Sequence, residues 1–247
     1  MTVNTRSISG KAAKGLRRRR VSPSLSQQRQ RRPWLRALVR TLDGEAAKRI
    51  FDIAFSLLVL SVFSPVYLIL AVAIAVSSPG PILYAQQRVG KNYKRFRCLK
   101  FRTMVNNADE MLASIMAESP QLQSEFADNF KLKDDPRITK IGKFLRLTSL
   151  DELPQFWNVL KGDMSVVGPR PLVPEELPKY GSRMKQVLSI RPGITGLWQV
   201  SGRNDIPYPR RVQIDVYYVN ARSWLLDLWI ILKTIGVLVF TNNNGAY

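Results

Sequence analysis

Ile53-Ala-Phe-Ser-Leu-Leu-Val-Leu-Ser-Val-Phe-Ser64-Pro65-Val-Tyr-Leu-Ile-Leu-Ala-Val-Ala-Ile-Ala-Val76 is the stretch on which the fold turns. It is the apolar core of an uncharged run from Ile53 to Gln87. As one straight helix its ~24 residues would measure ~36 Å at ~1.5 Å each, enough to cross a ~30 Å hydrocarbon layer. The flanks oppose a crossing. Upstream stand Arg17, Arg18, Arg19, Arg20, Arg36, Arg40, Lys48 and Arg49; downstream stand Arg88, Lys91, Lys94, Arg95, Arg97, Lys100 and Arg102, with no acid between Ala85 and Asn107. Basic residues beside a membrane segment stay on the cytoplasmic side, so a full crossing would strand one cluster on the wrong face.

Ser64-Pro65 resolves the conflict. Proline removes a backbone donor and kinks a helix, while the serine hydroxyl can bond a carbonyl of the preceding turn. The expected element is a membrane-embedded re-entrant helix-break-helix over residues 46–78, returning to the side it entered. A kinked transmembrane helix and a buried helix of a soluble core are the alternatives.

With 247 residues and a formal charge of +20, the chain has room for one substantial domain and calls for an anionic partner. Residues 1–45 read as a basic, largely disordered N-terminal arm suited to anionic lipid headgroups, in which only Asp43 and Glu45 are acidic. The arm is too long and too basic for a usual signal peptide. Nucleic acid is the rival anion, but no recognisable binding motif is present and the apolar run would go unexplained. The lone Cys98 excludes an internal disulfide and a cysteine-based structural metal site. The absence of histidine removes the Ser-His-Asp scheme, common zinc sites and imidazole acid-base chemistry. Catalysis is left to carboxylates, Lys, Tyr or the single thiol, with a hard oxygen-liganded cation.

Residues 79–247 read as a cytoplasmic domain. Ile82 to Gln87 and Tyr93 to Met104 are strand candidates around a turn at Gly90-Lys91-Asn92. On the second strand, alternation puts Cys98, Lys100 and Arg102 on one face. Asn107 to Glu118, the stripe Ile138, Ile141, Phe144, Leu145, and Leu150 to Leu160 read as helices. Gly162 to Ile206 reads as irregular loops and short strands. Trp224 to Phe240 is apolar but carries Asp227 and Lys233, which suits an interfacial helix; a core helix is the alternative. The fold class expected is mainly helical α+β, with a short β-hairpin.

Thr148-Ser149-Leu150-Asp151-Glu152-Leu153-Pro154 is the sharpest local signal. Ser149 and Glu152 have capping-box spacing, which would start a helix with Asp151 and Glu152 in its first turn. There the dipole and free amides stabilise anions, so an ionised Asp151 can serve as nucleophile or metal ligand; simple capping is the bland reading. Gly168-Pro169-Arg170-Pro171 stiffens the backbone around a guanidinium, preorganising it for a phosphate or merely leaving it solvated on a rigid loop. Lys100, Arg102 and Arg146 can add charge around the same anion. Arg191-Pro192-Gly193-Ile194-Thr195-Gly196 and Ser201-Gly202-Arg203-Asn204 are glycine-bearing loops that match neither a P-loop nor a dinucleotide fingerprint.

Taken in order, these pieces resemble the monotopic phosphoglycosyl transferases, bacterial sugar transferases that start exopolysaccharide or O-antigen units on a lipid carrier. The likeness runs from Lys48-Arg49-Ile50-Phe51-Asp52 and the Ser64-Pro65 break through Gly80-Pro81-Ile82 and Gln87-Arg88-Val89-Gly90. It continues with Lys100-Phe101-Arg102-Thr103-Met104, Arg146 to Gln155, Gly162 to Pro171, and Arg191 to Gly196. The resemblance implies transfer of a hexose 1-phosphate from a UDP-hexose to undecaprenyl phosphate, releasing UMP, on the cytoplasmic face of the bacterial inner membrane. It further implies a covalent phosphosugar intermediate on Asp151, assistance from Glu152, Mg²⁺ on Asp151 and the diphosphate, and phosphate neutralisation by Arg146 and Arg170. Glucose or galactose is the expected sugar. A homo-oligomer is compatible with the sequence but not required by it. The competing class is a non-catalytic basic membrane adaptor, in which Asp151 would be dispensable.

Overall fold

The computed structural model describes residues 41–240 except 42, 130, 131, 133 and 203–205. The arm up to residue 40 and the Arg203-Asn204 loop lie outside the described residues. The architecture is mainly helical with two small sheets. Helices α1 (Glu45–Val62) and α2 (Ser64–Ser77) precede an antiparallel hairpin of β1 (Leu83–Val89) and β2 (Arg95–Phe101). Then come α3 (Ala108–Glu118), α4 (Pro120–Asn129), α5 (Lys140–Thr148) and α6 (Gln155–Lys161). A parallel pair, β3 (Ser165–Val167) with β4 (Gly193–Thr195), brackets the short helices α7 (Leu177–Tyr180) and α8 (Met184–Val187). The described chain closes with α9 (Leu197–Ser201), α10 (Tyr208–Ala221) and α11 (Trp224–Phe240).

The break between α1 and α2 falls at Phe63, and the two helices are bent by 62°. Pro65 sits at the start of α2, where its missing donor costs nothing, and Ser64 Oγ donates to the Ser61 carbonyl at 2.8 Å. No single helix among the described residues is long and apolar enough to cross a membrane; only this bent pair passes by length and composition.

Both arms of the bend are fastened to the same body. Arg49 donates to the Val159 and Leu160 carbonyls at the end of α6, at 2.6 and 2.9 Å. Tyr67 of α2 donates to the Leu153 carbonyl, and Arg102 donates to Pro79 and Ser78 carbonyls just beyond α2, at 2.7 and 2.6 Å. Several of the flanking cations are thus spent inside the protein.

Helix α1 turns Phe51 and Phe55 towards the core together with two polar residues, and leaves other apolar side chains exposed. Asp52 and Ser56 are 1% and 0% exposed, whereas Ile50, Leu58 and Val62 are 69%, 60% and 62% exposed. Asp52 Oδ1 accepts from Ser165 Oγ at 3.1 Å and Val166 N at 3.0 Å, which joins α1 to β3. Lys48 Nζ lies 3.5 Å from Asp52 Oδ1 and 2.8 Å from Asp227 Oδ2, and Tyr218 donates to Asp227 at 2.7 Å. This paired network accounts for the charged residues inside otherwise apolar helices. Helix α11 packs as a core helix on one side, with Ile230 and Ile231 buried, while Leu225, Leu232 and Val239 are exposed on the other. The end of the arm is tied down too, since Asp43 accepts from Trp224 N at 2.7 Å and Glu45 pairs with Arg222.

Candidate active site

The acid pair is placed by two helix ends. Thr139 caps α5 by accepting from Gly142 N at 2.9 Å. Gly142 lets that helix press on β2's continuation: a Cβ there would come 1.9 Å from the Thr103 carbonyl oxygen. Arg146, one turn on, donates through Nε to Thr103 Oγ1 at 3.0 Å. Helix α5 stops at Ser149, whose left-handed backbone (φ 57°) reverses the chain into a single 3₁₀ turn, Leu150–Glu152. Leu150 and Leu153 pack on the cluster of Leu70, Ile74, Phe101 and Leu145, leaving Asp151 and Glu152 to face a cavity.

The capping box expected from Ser149 and Glu152 is not made. Ser149 ends the helix before it and makes no side-chain cap, because a left-handed residue is not the extended start that a capping serine needs. The next helix begins only at Gln155, after Pro154. The acids are therefore governed by a side chain. Lys100 Nζ lies 2.7 Å from Glu152 Oε1 and 3.5 Å from Asp151 Oδ2.

That geometry splits the two carboxyls. Burial and then the neighbouring Glu152 charge push Asp151 up, against the pull of Lys100 and Arg146. Burial also acts upward on Glu152, but the Lys100 ammonium, with Arg170 and Arg88 behind it, holds its carboxyl below the usual range. Two adjacent acids in unlike environments are suited to unlike roles.

The cavity, of about 920 Å³, is lined by Lys100, Arg146, Asp151, Glu152, Arg170 and Arg88. The remaining lining is mixed: Phe55, Val59, Phe156, Ile194, Ile231 and Ile235, from α1, α6, β4 and α11, are apolar, and Arg102, Asp135, Arg137 and Glu176 add further charge. The arrangement can hold a multiply charged anion beside a buried carboxylate while excluding much of the water. Among the described residues no three metal-ligating side chains cluster. Two adjoining carboxylates facing a cationic anion cradle nevertheless fit Mg²⁺, which commonly takes one or two protein carboxylates and completes its shell with substrate phosphates and water.

Of the expected site residues, Lys100, Arg146, Asp151, Glu152 and Arg170 come together, and Arg102 lines the same cavity with its terminal nitrogens turned to the backbone. Both donate to carbonyls at the end of α2, and the residue is only 7% exposed. A helix C-terminus with free carbonyls is a strong competitor for a guanidinium. Ser64 and Pro65 belong to the helix break and do not line the cavity.

Residues 44–241 match the family described as bacterial sugar transferase. The chain belongs to that family. It is 48% identical over 202 residues to the undecaprenyl-phosphate galactose phosphotransferase of Salmonella typhimurium, covering 81% of this chain and 41% of that protein. It is 46% identical over 204 residues to the exopolysaccharide production protein ExoY of Sinorhizobium fredii, covering 83% and 89%. It is 38% identical over 212 residues to the UDP-glucose:undecaprenyl-phosphate glucose-1-phosphate transferase of Klebsiella pneumoniae, covering 81% and 41%. The chain thus spans about two-fifths of the length of several curated relatives and most of the length of ExoY.

Sequence reasoning about this sugar transferase missed Arg88, Thr103 and Tyr67. The sequence places Arg88 in the basic flank and in the Gln87-Arg88-Val89-Gly90 motif without giving it a site role, yet hairpin register could have found it. Tyr84 pairs with Lys100, Gln86 with Cys98 and Arg88 with Phe96, so Gln86, Arg88 and Lys100 share a face. Thr103 and Tyr67 gave no local signal, because each acts on a residue more than forty positions away.

Proposed function

We propose that this bacterial sugar transferase moves a hexose 1-phosphate from a UDP-hexose to undecaprenyl phosphate, releasing UMP, as the first step of exopolysaccharide repeat-unit assembly. The observation that carries the reading is the buried Asp151–Glu152 pair bridged by Lys100 in a cavity that also holds Arg146 and Arg170. The names borne by the Salmonella and Klebsiella relatives support the substrates.

Asp151 is the nucleophile. One of its carboxylate oxygens forms a bond to the sugar-bearing phosphorus while the bond from that phosphorus to the bridging oxygen breaks, and UMP departs with the electron pair. An oxygen of the lipid phosphate then attacks the same phosphorus and returns Asp151 to a carboxylate. Phosphoryl transfer of this kind depends on positioning and charge neutralisation more than on a strong base, which suits a chain without histidine. Lys100 holds Glu152 ionised, and Arg146 and Arg170 take up charge as it moves between oxygens. Asp151, with Glu152 adjoining, would hold Mg²⁺ together with the substrate diphosphate, and the ion would supply further charge neutralisation there.

The bent α1–α2 pair is re-entrant, and the domain sits on the cytoplasmic face of the bacterial inner membrane. Support comes from the outward apolar side chains of α1, α2 and α11, an arrangement suited to an apolar surrounding, and from the attachment of both arms to one body. The basic arm lies against anionic headgroups. The test uses purified protein in detergent with radiolabelled UDP-hexoses, undecaprenyl phosphate and Mg²⁺. Lipid-linked sugar phosphate and UMP from wild type but not from Asp151→Asn are expected. Near-normal turnover by the Asn variant would remove the covalent role, and no product from any sugar with folded protein would favour the adaptor.

A further inference from the structure

The loop that presents Arg170 is anchored on both sides of that residue. On one side the Pro169 carbonyl accepts from Gly193 N at 2.8 Å, and Gly168 N donates to the Thr195 carbonyl at 3.0 Å. This apposition is so close that a Cβ on Gly193 would lie 2.1 Å from Gly168 N. On the other side the Pro171 carbonyl accepts from Arg88 at 2.9 Å, and Val89 N donates to the Leu172 carbonyl at 2.8 Å. Arg88 is thus the side chain that fixes the residue following Arg170.

Arg88 is itself held rigidly. It is 7% exposed, its Nε and one terminal nitrogen fork onto Gln86 Oε1 at 3.1 and 2.5 Å, and Glu176 Oε2 lies 3.8 Å from the other. Glu176 in turn accepts from Val173 N at 3.1 Å, so the carboxylate that balances Arg88 also pins the far end of the same loop. Burial and the nearby Arg170 charge both oppose the cationic form of Arg88, while Glu176 favours it. A second guanidinium beside Arg170 is a poor choice for filling space, because like charges repel where water is scarce. It is a good choice if an anion is to be met there.

We propose that Arg88 is a positioning residue for Arg170, holding the Pro169–Pro171 loop so that Arg170 meets the diphosphate of the nucleotide in one fixed orientation. The inference rests on the transferase reading and names how one of its phosphate groups is held. A preorganised guanidinium loses less entropy on binding, so removing the anchor should weaken the grip without removing the gripping residue.

UDP titrated calorimetrically into wild type, Arg88→Gln, Arg170→Ala and the double variant tests this. Each single variant is expected to weaken UDP binding by about tenfold, the scale of one charge-assisted hydrogen bond. In the double variant the Arg88 substitution should add less than about twofold, since residues acting as a unit are not additive. Gln86→Met, which removes the fork partner and leaves the cation, should give a smaller loss that likewise vanishes without Arg170. If the Arg88 and Gln86 losses persist in full in the Arg170→Ala background, or if Arg88→Gln binds as wild type does, the positioning role is wrong while the transferase reading stands. Failure of wild type to bind UDP at all would overturn both.

Discussion

Tyr67, on the second arm of the bent helix pair, donates its hydroxyl to the carbonyl of Leu153, the residue that follows the Asp151-Glu152 pair. A side chain of the apolar segment thereby holds the backbone of the turn that carries the acids. Replacing it with Phe removes this bond while the Leu153 carbonyl keeps the Phe156 N–H at 3.1 Å, at a cost of about 0.5–1.5 kcal/mol. We expect Tyr67→Phe to lower turnover by about tenfold or less while membrane association, measured by flotation with lipid vesicles, is retained.

Asp151 and Glu152 are adjacent but not equivalent. Asp151→Asn should abolish transfer, whereas Glu152→Gln should leave a measurable residue, because it removes a charge and an ion pair but no bond to phosphorus. Mass spectrometry after incubation with UDP-hexose alone would separate the two: a phosphosugar adduct is expected on wild type and, more slowly, on Glu152→Gln. An adduct on Asp151→Asn would assign the nucleophile elsewhere.

Arg102 offers a clean contrast with Arg146. Because both its terminal nitrogens donate to the Ser78 and Pro79 carbonyls beyond α2, Arg102→Met should cost stability, on the order of 1–3 kcal/mol, with little change in KM for the nucleotide sugar among molecules that remain folded. Arg146→Met should raise KM or lower kcat with a smaller loss of stability. Thermal unfolding alongside initial-rate kinetics distinguishes these, and a raised KM in Arg102→Met would return Arg102 to the phosphate set.

Asp215 supplies a pH prediction. It is fully buried on α10, accepts from Tyr180 at 2.8 Å and, among the described residues, has no counter-ion in contact; Arg170 and Glu176 act only at longer range and in opposite senses. Burial pushes its carboxyl up to about 7 from an ordinary value of 3.8. Between those values the native state binds the proton that the unfolded state has released, so this contribution to stability is complete below pH 3.8 and is lost as pH rises through about 7. Asp215→Asn should therefore be more stable than wild type at pH 8, by on the order of a few kcal/mol at most, with the advantage shrinking towards pH 4. Denaturant unfolding at several pH values would expose a constant difference, which would contradict the assignment.

The elements legible in the sequence were those whose cause is local. Ser64-Pro65 announced the break because proline and serine act on their own turn, and the bond from Ser64 to the Ser61 carbonyl is of that kind. The β-hairpin and α3 followed from turn residues and period. Asp151, Glu152, Lys100, Arg146 and Arg170 were recovered as neighbours, largely because the ordered motifs resemble a known family. What escaped depends on partners far along the chain. Ser149 has the spacing of a capping residue, but the packing of Leu150 and Leu153 makes it a helix end instead. Arg102 has the charge of a phosphate ligand, and only the arrival of α2 beside it shows that its terminal nitrogens also meet backbone carbonyls. Helix α10 went unread because Tyr208 to Ala221 buries just Val212, Asp215, Val216 and Tyr218, which is a weak apolar stripe.

The bonds made by Arg49 and Asp52 carry a consequence for synthesis. Their partners lie 110 to 114 residues later in the chain. At ~5–20 residues per second, the first helix emerges on the order of 5–20 s before β3 and the end of α6 exist. Throughout that interval a guanidinium and a carboxylate sit in an apolar helix, four residues or fewer from Lys48 and with no other partner yet made. On the proposed re-entrant reading, α1 thus meets the bilayer before its polar partners exist, and a ribosome stalled before Val159 should leave it extractable by alkaline carbonate, whereas release of the finished chain should make it resistant.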